Sequence, residues 1–214
     1  EELFNTYLYA FEYCIKNADP SAVMCAYNAV NESPCVASKA LLQDILRDRF
    51  GFRGYVESDA NGVEYLNKYH KTTKNAAESA ALAVKSGCDL CIGDAYRELP
   101  AAYAAGLISE DVINEAVTRL FTARFRLGMF ASDCEYDSIP YEVIDCEAHQ
   151  RLNLQMARES IVLLKNDGIL PLSRDKKIAV IGPDAADEAP LYGNYNGRAS
   201  ETVTLLRGIK EKAK

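Results

Sequence analysis

Residues 54–62 read Gly-Tyr-Val-Glu-Ser-Asp-Ala-Asn-Gly, a short β-prone run that ends in an acidic residue and then breaks at Asn-Gly. The pattern predicts that Asp59 lies where a strand passes into a loop. In α/β proteins the chemistry is usually done at that edge of the sheet. Asp59 is therefore our candidate catalytic nucleophile. The alternative interpretation is that Asp59 caps the next turn or helix, a common role for aspartate.

The sequence on both sides of this strand alternates between helical and strand-like patterns. The spacing of apolar residues predicts helices over residues 3–17, 38–50, 76–86, 97–105 and 109–127. Short apolar runs predict two further strands, at 22–26 and 88–92. This alternating order implies parallel strands joined by right-handed crossovers. Three strands cannot close a barrel, so either they belong to a larger sheet or the chain lacks the other half of one.

A second unit follows residues 131–145, which carry Ser, Asp and Pro without helical periodicity and are interpreted as a linker. A helix is predicted near 147–159. Strands are predicted at 161–164 and 178–181, with a turn at 166–168. The sequence therefore predicts two domains, both partial.

Composition and charge exclude several classes of protein. The net charge of −7 over 214 residues, without a Lys/Arg stripe, argues against a nucleic-acid surface. No apolar run approaches the roughly 18 residues of a membrane-spanning helix, so we expect no membrane association.

The cysteine pattern gives one candidate disulfide. The seven cysteines are an odd number, so at least one thiol is free or paired outside this chain. Cys25 and Cys35 flank a loop and are placed to pair. Cys88 and Cys91 would point to opposite faces of a strand, which favours core packing over a zinc or redox pair.

Six segments, in chain order, resemble glycoside hydrolase family 3. They are residues 23–31, 45–47 together with 51–59, 119–130, 159–168, 178–183 and 193–197. Met-Cys-Ala-Tyr-Asn at 24–28 and Gly-Asn-Tyr-Asn-Gly at 193–197 look most like the β-xylosidase-like branch, with the β-glucosidases of the family a close second. The resemblance covers nearly the whole chain.

The resemblance implies a fold of class α/β with two domains. Residues 1–130 would be the C-terminal portion of a TIM-type (β/α)8 barrel, residues 131–145 a linker, and residues 146–214 the beginning of an α/β sandwich domain. It also implies retaining hydrolysis of a β-glycosidic bond at the non-reducing end of an oligosaccharide, a β-xyloside or β-glucoside. We expect no metal and no cofactor.

The resemblance also assigns site residues. Asp59 matches the nucleophile of the family. Tyr27 matches a position whose hydroxyl can steady that carboxylate or a nearby sugar hydroxyl; the alternative is a tyrosine simply packed at a strand end. The general acid/base of the family is a Glu of the second domain, and we expect it beyond residue 214. The chain alone should therefore not turn over substrate.

Two residues depart from the pattern of the family. Ala60 stands where Trp or Cys is usual, which puts sugar packing beside Asp59 in doubt. Glu57 stands where an aliphatic or small residue is usual, and it shares a strand face with Asp59. Because an isolated buried charge is costly, we predict that Glu57 is paired with a cation or kept neutral. We do not expect it to be the acid/base.

Other candidate residues carry weaker signals. His70 and His149 lack a second ligand at metal spacing and are interpreted as solvated. Asp89 and Asp94 are near the end of the third predicted strand and could contact substrate, although capping is the preferred interpretation.

Three functions remain to be compared. The first is an exo-acting retaining β-glycosidase, specifically a β-xylosidase, with β-glucosidase or α-L-arabinofuranosidase as alternatives. The second is a non-catalytic carbohydrate-binding relative, which the departures at Glu57 and Ala60 make conceivable. The third is an unrelated barrel enzyme such as an aldolase, which is disfavoured because no lysine stands at a strand end to form a Schiff base.

Overall fold

A computed structural model describes residues 1–193, 197 and 199–213. It falls into two units, residues 1–134 and 135–214, and each is described by itself. Of the segment at 193–197 that resembles the β-xylosidase-like branch, residues 194–196 lie outside the described residues.

A small parallel sheet lies at the centre of the first unit. The strands are β1 (Ala22–Cys25), β2 (Ala29–Val30), β3 (Ser33–Pro34) and β4 (Tyr55–Ser58). β1 pairs with β4 in parallel, as predicted, while β2 and β3 form a short antiparallel hairpin in the loop after β1.

Residues 88–92, the third predicted strand, run parallel to β4 on the side away from β1. Three backbone hydrogen bonds hold them there: Asp89 N to Val56 O (2.7 Å), Leu90 N to Val56 O (3.0 Å) and Ser58 N to Leu90 O (2.8 Å). Only the bridge between Glu57 and Leu90 has strand geometry, so this segment is shorter than predicted. Three parallel segments are present, and the described residues do not close them into a barrel.

Helices follow each strand in the predicted order. The α-helices of the first unit are α1 (Tyr9–Ala18), α2 (Tyr65–Lys68), α3 (Ala76–Ser86), α4 (Leu99–Ala104) and α5 (Glu110–Arg126). Two predicted helices are partly π-helical, at Leu3–Tyr7 and at Ala40–Arg49. Local sequence fixes α3 sharply: the Asn75 side chain accepts the Glu78 N–H at 2.9 Å, and Gly87 ends the helix at φ 110°.

The core of this unit lies on one face of β4. Val56 and Ser58 are fully buried, whereas Glu57, between them, is half-exposed on the other face. Apolar side chains from the π-helical segment and the neighbouring loops cover the buried face: Leu42, Leu46, Phe50, Phe52, Val63 and Leu66. The alternation along β4 directs Glu57 away from this core.

The second unit has helices but lacks the predicted strands in its described part. α6 (Glu147–Ser160) forms where a helix was predicted, and α7 (Leu205–Lys212) is a further helix. The Asn166 side chain closes the turn at 166–168 by accepting the Gly168 N–H at 3.1 Å. The predicted strands at 161–164 and 178–181 are wrong for this structure: both runs are irregular and exposed. A strand needs a neighbour for its backbone groups, and the described residues of this unit offer none.

Candidate functional site

Three loops meet at the carboxyl ends of the parallel segments. They follow β1, β4 and residues 88–92, and parallel pairing brings their starts to one edge. Hydrogen bonds join them; in two of these bonds the Tyr27 hydroxyl donates to the Ala60 carbonyl (2.7 Å) and the Asn61 N–H donates to the Ile92 carbonyl (2.6 Å). This edge is where the sequence predicted the site.

Asp59 is the first residue after β4 and is half-exposed at this edge. Its Oδ1 accepts the N–H of Ala60 at 2.6 Å, and its own carbonyl accepts the N–H of Gly62 at 2.9 Å. A tight turn therefore fixes the carboxylate at the mouth of the loop. A short carboxylate on a rigid strand end is suited to nucleophilic attack because it loses little freedom on ordering.

Tyr27 lies at the same edge as Asp59, and its role towards the carboxylate or a sugar stays a prediction. Its hydroxyl donates to the backbone carbonyl of Ala60, the residue after the candidate nucleophile. The Tyr27 ring packs on Tyr65 with 5.1 Å between centroids, and Tyr65 packs on Tyr69 at 4.4 Å. Tyr27 thus ties the loop after β1 to the loop after β4.

His70 belongs to this edge, and beside its partial exposure it makes a contact that the sequence did not indicate. It is half-buried, and its Nε2 lies 2.9 Å from the carbonyl oxygen of Tyr27, which requires a proton on Nε2. The contact spans 43 positions of sequence, so no local pattern could reveal it. His149, in contrast, is exposed on α6 as expected.

Glu64 is a buried carboxylate next to the candidate nucleophile that sequence reasoning missed. Only 8% of it is exposed. Its Oε1 accepts the N–H groups of Asp94 (2.8 Å) and Ala95 (3.0 Å), so the loop after β4 holds the loop after residues 88–92. Within the described part of the chain, Oε2 is buried without a hydrogen-bond partner.

Asp89 is buried and is not placed to contact a substrate. It is buried in a network of two ion pairs, with Arg47 at 2.8 Å and Arg119 at 2.9 Å, and it also accepts the N–H of Val56 at 2.8 Å. Burial raises the pKa of the Asp89 carboxyl, and these three donors oppose the rise. Asp94 is exposed and pairs with Arg97 at 2.8 Å.

Glu57 was predicted to be paired with a cation or kept neutral, and the first of these alternatives is not seen. It is half-exposed, and none of the ion pairs among the described residues includes it. Because water reaches one side of Glu57, pairing is not obligatory there. Glu57 therefore does not carry a buried charge in this structure.

The cysteines are all free, so the suggested pairing of Cys25 with Cys35 is wrong. Cys25, Cys35 and Cys88 are buried, and Cys91 is half-buried. Burial, followed by the charge of Glu64, raises the pKa of Cys91. Among the residues described, no group of three or more His, Cys, Asp or Glu side chains has metal-binding geometry. None of the described helices is long and apolar enough to cross a membrane.

Comparison with known proteins extends this picture. The model of the glycosyl hydrolase family 3 N-terminal domain matches residues 1–123, and that of the C-terminal domain matches residues 161–214. A xylan 1,4-β-xylosidase of Xylanibacter ruminicola is 42% identical over the whole chain, which covers 25% of that protein. Probable β-D-xylosidase 6 of Arabidopsis thaliana is 35% identical, again over the whole chain and 28% of the relative.

Solved structures give the same relationship. A family 3 exo-β-xylosidase in complex with a xylobiose aziridine probe superposes with a TM-score of 0.72 at 35% identity, over 95% of this chain and 27% of that one. A β-glucosidase from Listeria innocua in complex with glucose gives 0.67 at 31% identity, over 98% and 29%. The chain thus spans about a quarter of the length of the relatives it matches. Since one family model alone covers more than half of it, the chain belongs to glycosyl hydrolase family 3.

Proposed function

We propose that this chain carries the nucleophile of a retaining, exo-acting β-glycosidase that removes xylose from the non-reducing end of xylo-oligosaccharides. The observation that carries the proposal is the position of Asp59, half-exposed at the end of β4 and fixed by the Ala60 N–H. The similarity to xylosidases over the full length of the chain supports xylose as the sugar.

The proposed reaction is a double displacement. A carboxylate oxygen of Asp59 forms a bond to the anomeric carbon while the bond to the leaving oxygen breaks, and a general acid protonates that oxygen. Water, deprotonated by the same group acting as base, then displaces Asp59 and releases the sugar. Retaining enzymes hold the two carboxyl groups about 5–5.5 Å apart. We propose that the acid/base is a Glu outside this chain, within a longer enzyme.

The loops around Asp59 would keep the nucleophile in place without reacting themselves. Tyr27 binds the Ala60 carbonyl, and Asn61 binds Ile92, so the two residues that directly follow Asp59 are anchored. We assign Tyr27 to the sugar-binding surface because 39% of it is exposed beside Asp59. Attack from a prearranged position avoids the entropic cost of ordering the carboxylate during the reaction.

The proposed architecture follows from the same family. We propose that residues 1–130 form the C-terminal portion of a TIM-type barrel, with residues 131–145 as linker and residues 146–214 as the start of an α/β sandwich. Three consecutive parallel segments with helices between them support the barrel part. In such barrels the active site lies at the carboxyl ends of the strands, which agrees with the position of Asp59.

There are three alternatives to a xylosidase, and two of them have specific support. Similarity to β-glucosidases, including the Listeria innocua complex with glucose, favours glucose as a second candidate sugar. An α-L-arabinofuranosidase is the remaining alternative within the family. A non-catalytic carbohydrate-binding relative is favoured only by Glu57 and Ala60, the two departures beside Asp59.

Mechanism-based labelling separates these functions. The full-length enzyme that contains this chain is incubated with an activated 2-fluoro-xyloside, digested and analysed by mass spectrometry. We expect a covalent adduct on the peptide that contains Asp59. An adduct on another carboxylate would contradict the assignment, and slow labelling by the xyloside with fast labelling by the 2-fluoro-glucoside would favour the glucosidase. Absence of any adduct, with sugar binding retained, would indicate the non-catalytic relative.

A further inference from the structure

The environment of Glu64 differs from that of a solvent-exposed loop residue. It is more than nine-tenths buried and lies five residues after Asp59, where the turn begins. A buried carboxylate is costly unless donors satisfy it, and here the donors are backbone N–H groups of Asp94 and Ala95 from a different loop. Its position therefore serves the contact between two loops.

Gly93 shows how closely these loops approach. A Cβ atom at position 93 would lie 2.7 Å from Oε1 of Glu64 and 3.1 Å from Oδ1 of Asn61. The backbone of Gly93 has φ 145°, a conformation that residues with side chains rarely adopt. Glycine at this position allows the backbone to lie against the Glu64 carboxylate.

The loop that Glu64 holds is also the loop that anchors Asp59. Ile92, just before Gly93, donates its N–H to Oγ of Ser58 (3.0 Å) and accepts the N–H of Asn61 at its carbonyl (2.6 Å). Asp59 lies between these two bonded residues. The position of the nucleophile therefore depends on Ile92, and Glu64 fixes the chain immediately after Ile92.

We propose that Glu64 is a positioning residue: its carboxylate clamps the turn at 93–95 so that Ile92 holds Asp59 in the orientation needed for attack. The inference rests on the proposed function, because it assigns to Glu64 a role in the reaction of Asp59. Misplacement of a reacting group by about 1 Å can cost about 10²-fold in rate. The effect of losing the clamp should therefore appear in kcat more than in KM.

The test uses the full-length enzyme with Glu64→Ala and Glu64→Gln. Stoichiometric labelling with the 2-fluoro-xyloside counts working sites, so that kcat refers to folded enzyme only. We expect Glu64→Ala to lower kcat per labelled site by about 10²-fold with little change in KM. Glu64→Gln keeps an oxygen that accepts both N–H groups and should restore kcat to near that of the native enzyme. A loss of labelled sites with unchanged kcat per site would overturn the proposal, and so would equal losses in Ala and Gln.

Glu78→Ala is the matched control. Glu78 also accepts a backbone N–H, that of Lys74 at 2.8 Å, but it lies at the start of α3 and takes no part in the clamp. Its removal should leave kcat per labelled site unchanged. A fall equal to that of Glu64→Ala would show a general effect of stability and contradict the clamp.

A double-mutant cycle and hydrogen exchange keep the inference separate from the proposed function. Gly93→Ala displaces the Glu64 carboxylate, so it should reproduce the Glu64→Ala defect, and the double variant should lose less than the product of both. Glu64→Ala should also speed amide exchange in peptides covering 58–62 and 93–95. If the native enzyme is not labelled at Asp59, the proposed function fails, while unchanged exchange would overturn the clamp itself.

Discussion

Residues 22–25 and 161–164 are both short apolar runs, yet only the weaker strand former of the two becomes a strand. Ala-Val-Met-Cys at 22–25 is β1, paired along its whole length with β4. Ile-Val-Leu-Leu at 161–164 consists of four β-branched or strongly apolar residues and is irregular, with Leu164 92% exposed. Intrinsic β-propensity therefore did not decide the outcome.

The difference lies in what surrounds each run. β1 has a parallel neighbour for its backbone groups and a helical layer for its buried face, where Cys25 is 5% exposed. In the described part of the second unit the run at 161–164 has α6 before it and no strand beside it. A strand is stabilised by cross-strand pairs, so sequence alone shows the capacity to form one and not the presence of a partner.

The largest effect is expected from removal of the Asp59 carboxylate, which tests whether the reaction takes place in the first unit, where the sheet is formed. Asp59→Ala in the full-length enzyme should lower kcat by about 10⁴-fold or more, as the loss of a nucleophile does elsewhere. Added azide should restore turnover of an aryl β-xyloside and give the α-xylosyl azide, because the small anion attacks from the vacated face. Asp184→Ala is the control: Asp184 also follows an apolar run, but it is exposed in the second unit. Full turnover by Asp59→Ala would contradict the assignment.

The second effect concerns the buried charges of the first unit. Asp89→Asn leaves the buried guanidinium of Arg47 without its anion and removes the nearer of the two carboxylate partners of Arg119, and breaking a buried ion pair in this way costs about 3–5 kcal/mol. Urea unfolding of the 214-residue chain should show this loss. Glu147→Gln, which removes an exposed partner of Arg151 in the second unit, should not change the midpoint measurably. Equal effects would contradict the difference in burial.

Local signals predicted the parts of this chain that depend on neighbours in sequence. The break at 59–62 predicted the end of β4, and the spacing of apolar residues predicted α3 at 76–86, which Asn75 and Gly87 delimit in the structure. Contacts between distant residues carried no such signal. Asp89 looked like a capping or substrate residue because its ion partners, Arg47 and Arg119, are 42 and 30 positions away.

The same reason explains what was missed at the site. Glu64 and His70 contact residues that are 30 and 43 positions away, on loops that only parallel pairing of the strands brings together. Glu57 was predicted to be paired or neutral on the assumption that the face it shares with Asp59 is buried, but that face of β4 is partly open in the described residues. Alternation predicted which face Glu57 occupies and could not predict what covers that face.

A matched pair of leucines measures the packing difference directly. Leu66 is fully buried beneath β4, whereas Leu164 is 92% exposed. Leu66→Ala should lower the free energy of unfolding of the 214-residue chain by about 2–5 kcal/mol, through lost transfer energy and a cavity. Leu164→Ala should change it by less than about 0.5 kcal/mol. A large loss for Leu164→Ala would show that a partner covers residues 161–164 and would remove the contrast between the units.

The smallest expected effect is on the reactivity of the Cys91 thiol, which tests how far water is excluded from the loop edge of the first unit. Burial, then the charge of Glu64, raises the pKa of Cys91, so its thiolate is scarcer in the folded chain than in urea. Iodoacetamide reacts with the thiolate, and mass spectrometry of peptide 86–97 gives the rate at Cys91 separately from Cys88. The ratio of the Cys91 alkylation rate in the native chain to that in urea should be low at pH 8 and rise towards pH 10. The reason is that the unfolded thiol reaches full ionisation at a lower pH, whereas the native thiol continues to ionise as the pH rises. Restricted access alone lowers this ratio equally at every pH. A ratio independent of pH would therefore show that Cys91 is protected by restricted access of the reagent. A ratio that rises less in Glu64→Gln would show that the Glu64 carboxylate contributes to the protection.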